Sequence, residues 1–228
     1  YIDALDRIGP YPNLAVLVGH SAVRTATMGN DAWERETPTD DELATMRGMI
    51  DEAMRQGAVG FASSFSINHV GHGGIPMPST IATVDEFSHL AEAVGDAGRG
   101  IVQMSAGGRG TVEAMEPIVE KIGRRMFLTT GAAMYNASDP ERGRSWFADC
   151  AAAKERGNEL DIQIPCQPLA FDFTISGYRQ FQLSTLVTAN FNEQHWVPPI
   201  GINHTACRPC GITKRSAAPG GGKEGGGG

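Results

Sequence analysis

The chain has 228 residues, 41% of them apolar and 20% charged, with a formal net charge of -7. That length suits one or two domains, and the apolar share is enough to bury a core. The acidic balance argues against nucleic acid or an anionic membrane as the main partner, and the apolar runs are too short to span a bilayer.

No basic-then-apolar leader opens the sequence, and its start at Tyr1 is read as internal to a longer protein. The four cysteines, Cys150, Cys166, Cys207 and Cys210, suggest no disulfide framework, so a cytoplasmic location is expected. Cys150 lies in a helix pattern beside Trp146, Phe147 and Ala151 and is expected to be buried as a small apolar residue.

The first apolar run is 14–19, where Ala15 to Val18 are apolar without alternation, as in a strand covered on both faces. His20 follows, and then a long connection holding Gly29, Asn30 and Pro38. The Thr-Asp-Asp-Glu run at 39–42 is a capping box, in which hydroxyl and carboxylate each accept the other residue's backbone N–H. The helix it opens carries Leu43, Met46, Ile50 and Ala53 on one face and stops at Gly57.

The second run, 59–63, leads into a loop over 68–74 that holds His69 and His72 among three glycines. Thr-Val-Asp-Glu at 83–86 repeats the capping box, with Phe87, Leu90, Ala91 and Val94 expected to be buried and Gly98 as the stop. A third run covers 101–105, and the helix after it is expected over 111–122, kinked or delayed by Pro117. The fourth run is 126–130. Its helix starts near Asp139 and Pro140, where proline suits the first turn, and ends at Gly157. The fifth run is 160–165.

This alternation predicts an α/β fold with about five parallel strands and four intervening helices. A closed barrel of eight such units takes about 250 residues, so residues 1–182 read as part of a TIM-like (β/α) barrel. Residues 183–228 carry two acidic and four basic side chains and end in a glycine-rich stretch. They read as an unstructured tail, either a translation out of frame or a linker.

In such a barrel the site lies where strands end, which nominates His20, Ser63, Ser64, Ser105 to Arg109, 130–135 and 163–167. His69 and His72 suit a metal, a substrate carboxylate or plain solvent exposure. His20 reads equally as a site residue and as a core histidine satisfied by a carbonyl. Arg24 suits a bidentate carboxylate contact or an ion pair with Asp31 or Glu34. Gly107, Gly108, Arg109 and Gly110 form a turn that suits an anion or a tight strand-to-helix connection. The Cys207–Cys210 spacing beside His204 lacks a second ligand pair, so coincidence is the preferred reading.

Several segments together resemble the N-acyl-D-amino-acid deacylases, the D-aminoacylase-like amidohydrolases. They are 13–24 (Asn13 through Gly19, His20 and Arg24), Met28 with Gly29, 57–64, His69, His72 to Gly74, Pro76 to Ser79, and Ala82 with Thr83. The likeness is strongest over 13–98, fades by about 182 and does not reach the tail.

It implies a barrel that hydrolyses the amide bond of a small N-acyl amino acid with a water activated by zinc or another divalent metal. The family's early His-x-His and Cys would precede Tyr1, and its late Asp would follow 182. Its two middle-strand histidines would fall near 104–107 and 134–136, where Ser105 and Tyr135 stand. The resemblance therefore carries over no metal ligand. It assigns His20, Arg24, His69 and His72 to substrate binding. The chain as given is expected to be inactive and to hold no metal. The alternative is a non-catalytic barrel relative that binds a small carboxylate.

Overall fold

The structure, a computed structural model, describes residues 2–71, 74–129, 139–164, 191–192 and 195–196. Five short strands, β1 (Leu17–Gly19), β2 (Gly60–Ser64), β3 (Ile101–Ser105), β4 (Met126–Leu128) and β5 (Leu160–Ile162), pair in parallel in the order β1-β2-β3-β4-β5. Each strand thus lies beside the next one in sequence. That is the order of strands around a barrel, and it lacks the reversal of a doubly wound sheet.

The residues of each strand divide by face. Phe61, Val102, Met104, Met126, Leu128 and Leu160 are fully buried against the helices. Ala62, Gln103, Phe127 and Asp161 are register partners across four strands and stay half-buried on the other face. In a barrel that second face is the interior. The sheet is closely paired at Gly60, where an added Cβ would lie 1.9 Å from the Ile101 carbonyl oxygen. No side chain fits there.

The helices that were expected form. α3 (Asp40–Arg55) buries Met46, Ile50 and Met54 behind a complete capping box. α5 (Val84–Asp96) buries Phe87, Leu90, Ala91 and Val94 and packs between α3 and α6 (Val112–Ile122). α6 runs unbroken from its Thr111 cap through Pro117. Pro117 and Glu113, the residue whose carbonyl it leaves without a helical donor, are both exposed, where solvent can take the place of the lost donor. α7 (Arg142–Glu155) starts after Asp139 and Pro140 and buries Cys150 and Ala153.

Three elements were not expected: α1 (Ile2–Ile8), α4 (Pro78–Ile81), and α2 (His20–Met28) with the 3-10 turn Gly29–Trp33 behind it. α2 occupies what reads in the sequence as a long connection. Its cap is Gly19, which offers no side-chain bond, and its buried residues are His20, Val23, Arg24 and Met28.

By its internal contacts the chain divides into residues 1–169 and 170–228. In the second unit, β6 (Phe191–Asn192) pairs antiparallel with β7 (His195–Trp196). The rest of 183–228, with Cys207 and Cys210, lies outside the described residues. No described helix is long and apolar enough to cross a membrane.

Candidate functional site

The carboxyl ends of the strands carry two separate polar groups, one beneath the sheet's helix side and one on the open side. The first is built on Glu86, in the opening turn of α5. Its Oε1 lies 2.8 Å from His20 Nε2, and its Oε2 accepts from Arg24 Nη1. His20 Nδ1 lies 2.8 Å from Ser63 Oγ. Because Nε2 faces a carboxylate it must hold the ring proton, so a neutral His20 accepts from the Ser63 hydroxyl at Nδ1.

His20, Arg24 and Glu86 are 1%, 0% and 3% exposed. The His20 ring centroid lies 5.5 Å from that of Phe61. Burial pushes the imidazole below its ordinary 6.5, against the opposing pull of Glu86. His20 is therefore neutral near pH 7, and Arg24 with Glu86 forms one compensated buried pair.

Arg24 spends all of its donors inside the protein. Nε donates to the Ala32 carbonyl at 3.2 Å, Nη2 to the Arg35 carbonyl at 2.6 Å, and both Nη atoms reach the Glu36 carbonyl. Glu86 thus ties the ends of β1 and β2 to the 32–36 segment through two intermediaries. Arg24 pairs with neither Asp31 nor Glu34, and the partner of His20 is a carboxylate where a carbonyl was one of the sequence readings.

The order hydroxyl, imidazole, carboxylate is that of a nucleophilic triad. Ser63, however, points to the helix side with Phe61 and is 8% exposed, so its hydroxyl orients His20 and meets no substrate. Glu86 carries this group, and sequence reasoning gave it only a capping role. Its signal, Thr-x-x-Glu, is the same as at 39–42.

The second group is open. Ser64, on the interior side of β2, places Oγ 2.6 Å from His69 Nδ1 and accepts from the Ser66 N–H at 3.1 Å. His69 is exposed and Ser64 half-buried. The loop is held by bonds from the His69 N–H to the Ser66 carbonyl, 2.9 Å, and from the Met77 N–H to the His69 carbonyl, 3.2 Å. A further bond runs from the Gly71 N–H to the Ile75 carbonyl at 2.7 Å, beside the Val70–Pro76 bridge. His72 lies outside the described residues. Next along the strand ends, Thr129 Oγ1 donates to Ser105 Oγ at 2.9 Å.

The turn at 107–110 is tight for packing reasons. Gly107 has φ +57, and an added Cβ would lie 2.1 Å from the Phe65 carbonyl oxygen. Arg109 donates to the Thr80 and Ala82 carbonyls and lies 4.7 Å over the Phe65 ring. Its guanidinium is thus committed to holding α4 against the end of β2. An open groove of about 510 Å³ beside it is lined by Trp33, Glu34, Glu36, Thr80, Ile81 and Arg109.

The fold has counterparts among solved structures. The crystal structure of N-acyl-D-glutamate deacylase from Bordetella bronchiseptica, complexed with zinc and a phosphonate mimic of the tetrahedral intermediate, matches with a TM-score of 0.60 at 27% identity. The match covers 74% of this chain and 34% of that one. The D-aminoacylase of Alcaligenes xylosoxydans xylosoxydans is 30% identical over 148 residues, which is 64% of this chain and 28% of the enzyme. This chain is a distant, partial relative of the D-aminoacylases.

D-aminoacylase itself defines a subset of the amidohydrolases, and the five parallel strands match part of the fold of these enzymes. An uncharacterized protein of Mycobacterium tuberculosis is 35% identical over 105 residues, 43% of this chain and 17% of its own length. The chain thus spans between 17% and 34% of the lengths of these three matched proteins. No protein-family model matches it.

The D-aminoacylase likeness raises the question of a metal. Among the described residues no three His, Cys, Asp or Glu side chains converge where an ion could sit. Ser105 takes the strand-end place where the family resemblance called for a histidine. The described residues do not fit a zinc site, and no metal-dependent step is assigned to them.

Proposed function

We propose that this chain is one wall of a hydrolase that cleaves the amide bond of N-acyl-D-amino acids with a metal-activated water. The observation that carries this reading is the likeness of its five-stranded sheet to the zinc- and phosphonate-bound N-acyl-D-glutamate deacylase, at 27% identity. In this reading the open side of the sheet faces the substrate, and His69 and His72 belong to the loop over the mouth. His20 and Arg24 serve substrate binding from below, by fixing the strand ends through Glu86. The zinc or other divalent metal belongs to the complete protein, which we place in the cytoplasm. The 228-residue chain alone is inactive.

The test is turnover of N-acetyl-D-amino acids by the longer protein that carries this sequence, abolished by a chelator and restored by zinc, with none by the 228-residue chain. Chelator-resistant turnover, or turnover by this chain alone, would show the reading wrong. A second reading, a non-catalytic relative that binds a small carboxylate, is favoured by the absence of a metal-holding group among the described residues. Binding without turnover in the longer protein would select it.

A further inference from the structure

The open polar group has a direction that its distances reveal. Ser64 Oγ already accepts from the Ser66 N–H. Among the described residues the only other partner of that oxygen is His69 Nδ1, at 2.6 Å. A serine hydroxyl has one proton to give. If Nδ1 carried the ring proton, Ser64 would accept twice and its own proton would have no acceptor among the described residues. If Ser64 donates to Nδ1, both groups are satisfied and the ring proton sits on Nε2. The same accounting applies next door. Ser105, the register partner of Ser64, accepts from Thr129, and among the described residues none accepts its own proton.

We propose that Ser64 fixes His69 in the Nε2–H tautomer, and that this N–H together with the Ser105 hydroxyl binds the carboxylate of the ligand at the strand ends. The inference rests on the deacylase reading for its choice of an N-acyl amino acid as ligand. Ser64 is a positioning residue and touches the ligand only through His69. His69 and Ser105 are the contacts. Two converging N–H and O–H donors suit a carboxylate better than a cation, and no described lysine or arginine is needed for the site.

The tautomer can be read directly. In the 228-residue chain labelled with 15N-histidine, long-range proton–nitrogen spectra should show His69 as Nε2–H. Ser64→Ala should give a tautomer mixture, and Ser64→Thr, which keeps the hydroxyl, should restore the single form. An Nδ1–H tautomer in the parent chain, or an unchanged Nε2–H tautomer in Ser64→Ala, overturns the role of Ser64.

Three probes then address the ligand. N-acetyl-D-alanine should shift the His69 nitrogens, while its primary amide should not. His69→Ala should weaken N-acetyl-D-alanine binding about ten-fold, the loss of one hydrogen bond to a charged group. Equal responses to the acid and its amide would overturn carboxylate recognition. A response to propanoate without one to N-acetyl-D-alanine would keep the carboxylate site and defeat the deacylase reading. No response to either carboxylate would overturn the site itself.

Discussion

The same start signal opens α3 and α5, yet their two glutamates go to different places. Glu42 turns back on its own helix. It accepts from the Thr39 N–H at 2.7 Å, closes the capping box, and pairs with the neighbouring Arg35 at 2.6 Å on the surface. Glu86 keeps only half of that arrangement. Its N–H donates to Thr83 Oγ1 at 3.1 Å, but its carboxylate turns into the protein to meet His20 and Arg24. What differs is the neighbourhood. α3 has an arginine seven residues before its glutamate, on the exposed side. The opening turn of α5 meets α2, which buries an arginine and a histidine whose acidic side-chain partner among the described residues is Glu86. A cap satisfies orphan N–H groups worth a little each, whereas an unpaired buried guanidinium costs several kcal/mol. The carboxylate goes where its absence would cost more.

The largest effect should come from removing that buried charge. Glu86→Gln leaves Arg24 buried and unpaired and should destabilise the first unit by about 3–5 kcal/mol in chemical denaturation. Glu42→Gln should cost a small part of that, because Arg35 stays in water. If Arg24→Met is combined with Glu86→Leu, the loss should shrink well below that of Glu86→Gln alone, since no uncompensated charge remains. Equal losses from Glu42→Gln and Glu86→Gln would break the comparison.

Much of the fold is legible because its signals are local. Met46, Ile50 and Met54 recur at helical spacing behind Thr39, and β3 is an apolar run with a glycine before it and a glycine turn after it. α2 is not legible for a physical reason. Its buried stripe is His20, Val23, Arg24 and Met28, correctly spaced but half polar. Hydrophobic periodicity cannot see a face whose burial depends on a carboxylate 62 residues away. The site was half legible for the same reason. His20, Arg24, Ser63, Ser64 and His69 all follow from the strand ends or the motif. The pairings, Ser63 with His20 and Ser64 with His69, depend on which side of β2 each serine takes, and a one-residue difference reverses that.

The next effect concerns pH, and it separates the buried group around His20 from the surface carboxylates by window. His20 has a lowered pKa in the folded chain, so below 6.5 the unfolded chain binds the extra proton first and stability falls with falling pH. For a single proton the slope is at most about 1.4 kcal/mol per pH unit. Glu42, held at about 2 by Arg35 and by Thr39, loses its contribution only as pH falls below 4.5. Glu116, also at about 2 through Arg156 and Asn158, shares that lower window. His20→Gln should therefore flatten the stability profile between pH 5 and 7 (roughly, from the ordinary histidine range) and leave the lower window intact. A profile unchanged between pH 5 and 7 would mean that His20 is not held neutral in the fold.

The smallest effect separates the two threonine caps, and it tests whether the half-box at α5 is the weaker or the more needed one. Thr39 is exposed, and Glu42 keeps its bonds to the Thr39 N–H and to Arg35 even without the hydroxyl. Water can replace the hydroxyl on the Glu42 N–H. Thr39→Ala should cost about 0.5 kcal/mol, the low end for a lost cap. Thr83 is half-buried, and its hydroxyl is the acceptor for the N–H of a residue that is itself buried. Thr83→Ala leaves that donor poorly hydrated and loosens the turn that aims Glu86 at Arg24. Its cost should be about 2 kcal/mol, the upper end for a cap, and part of it should disappear in an Arg24→Met, Glu86→Leu background. If the two threonines cost the same, and that background changes nothing, then Thr83 caps α5 without helping to place Glu86.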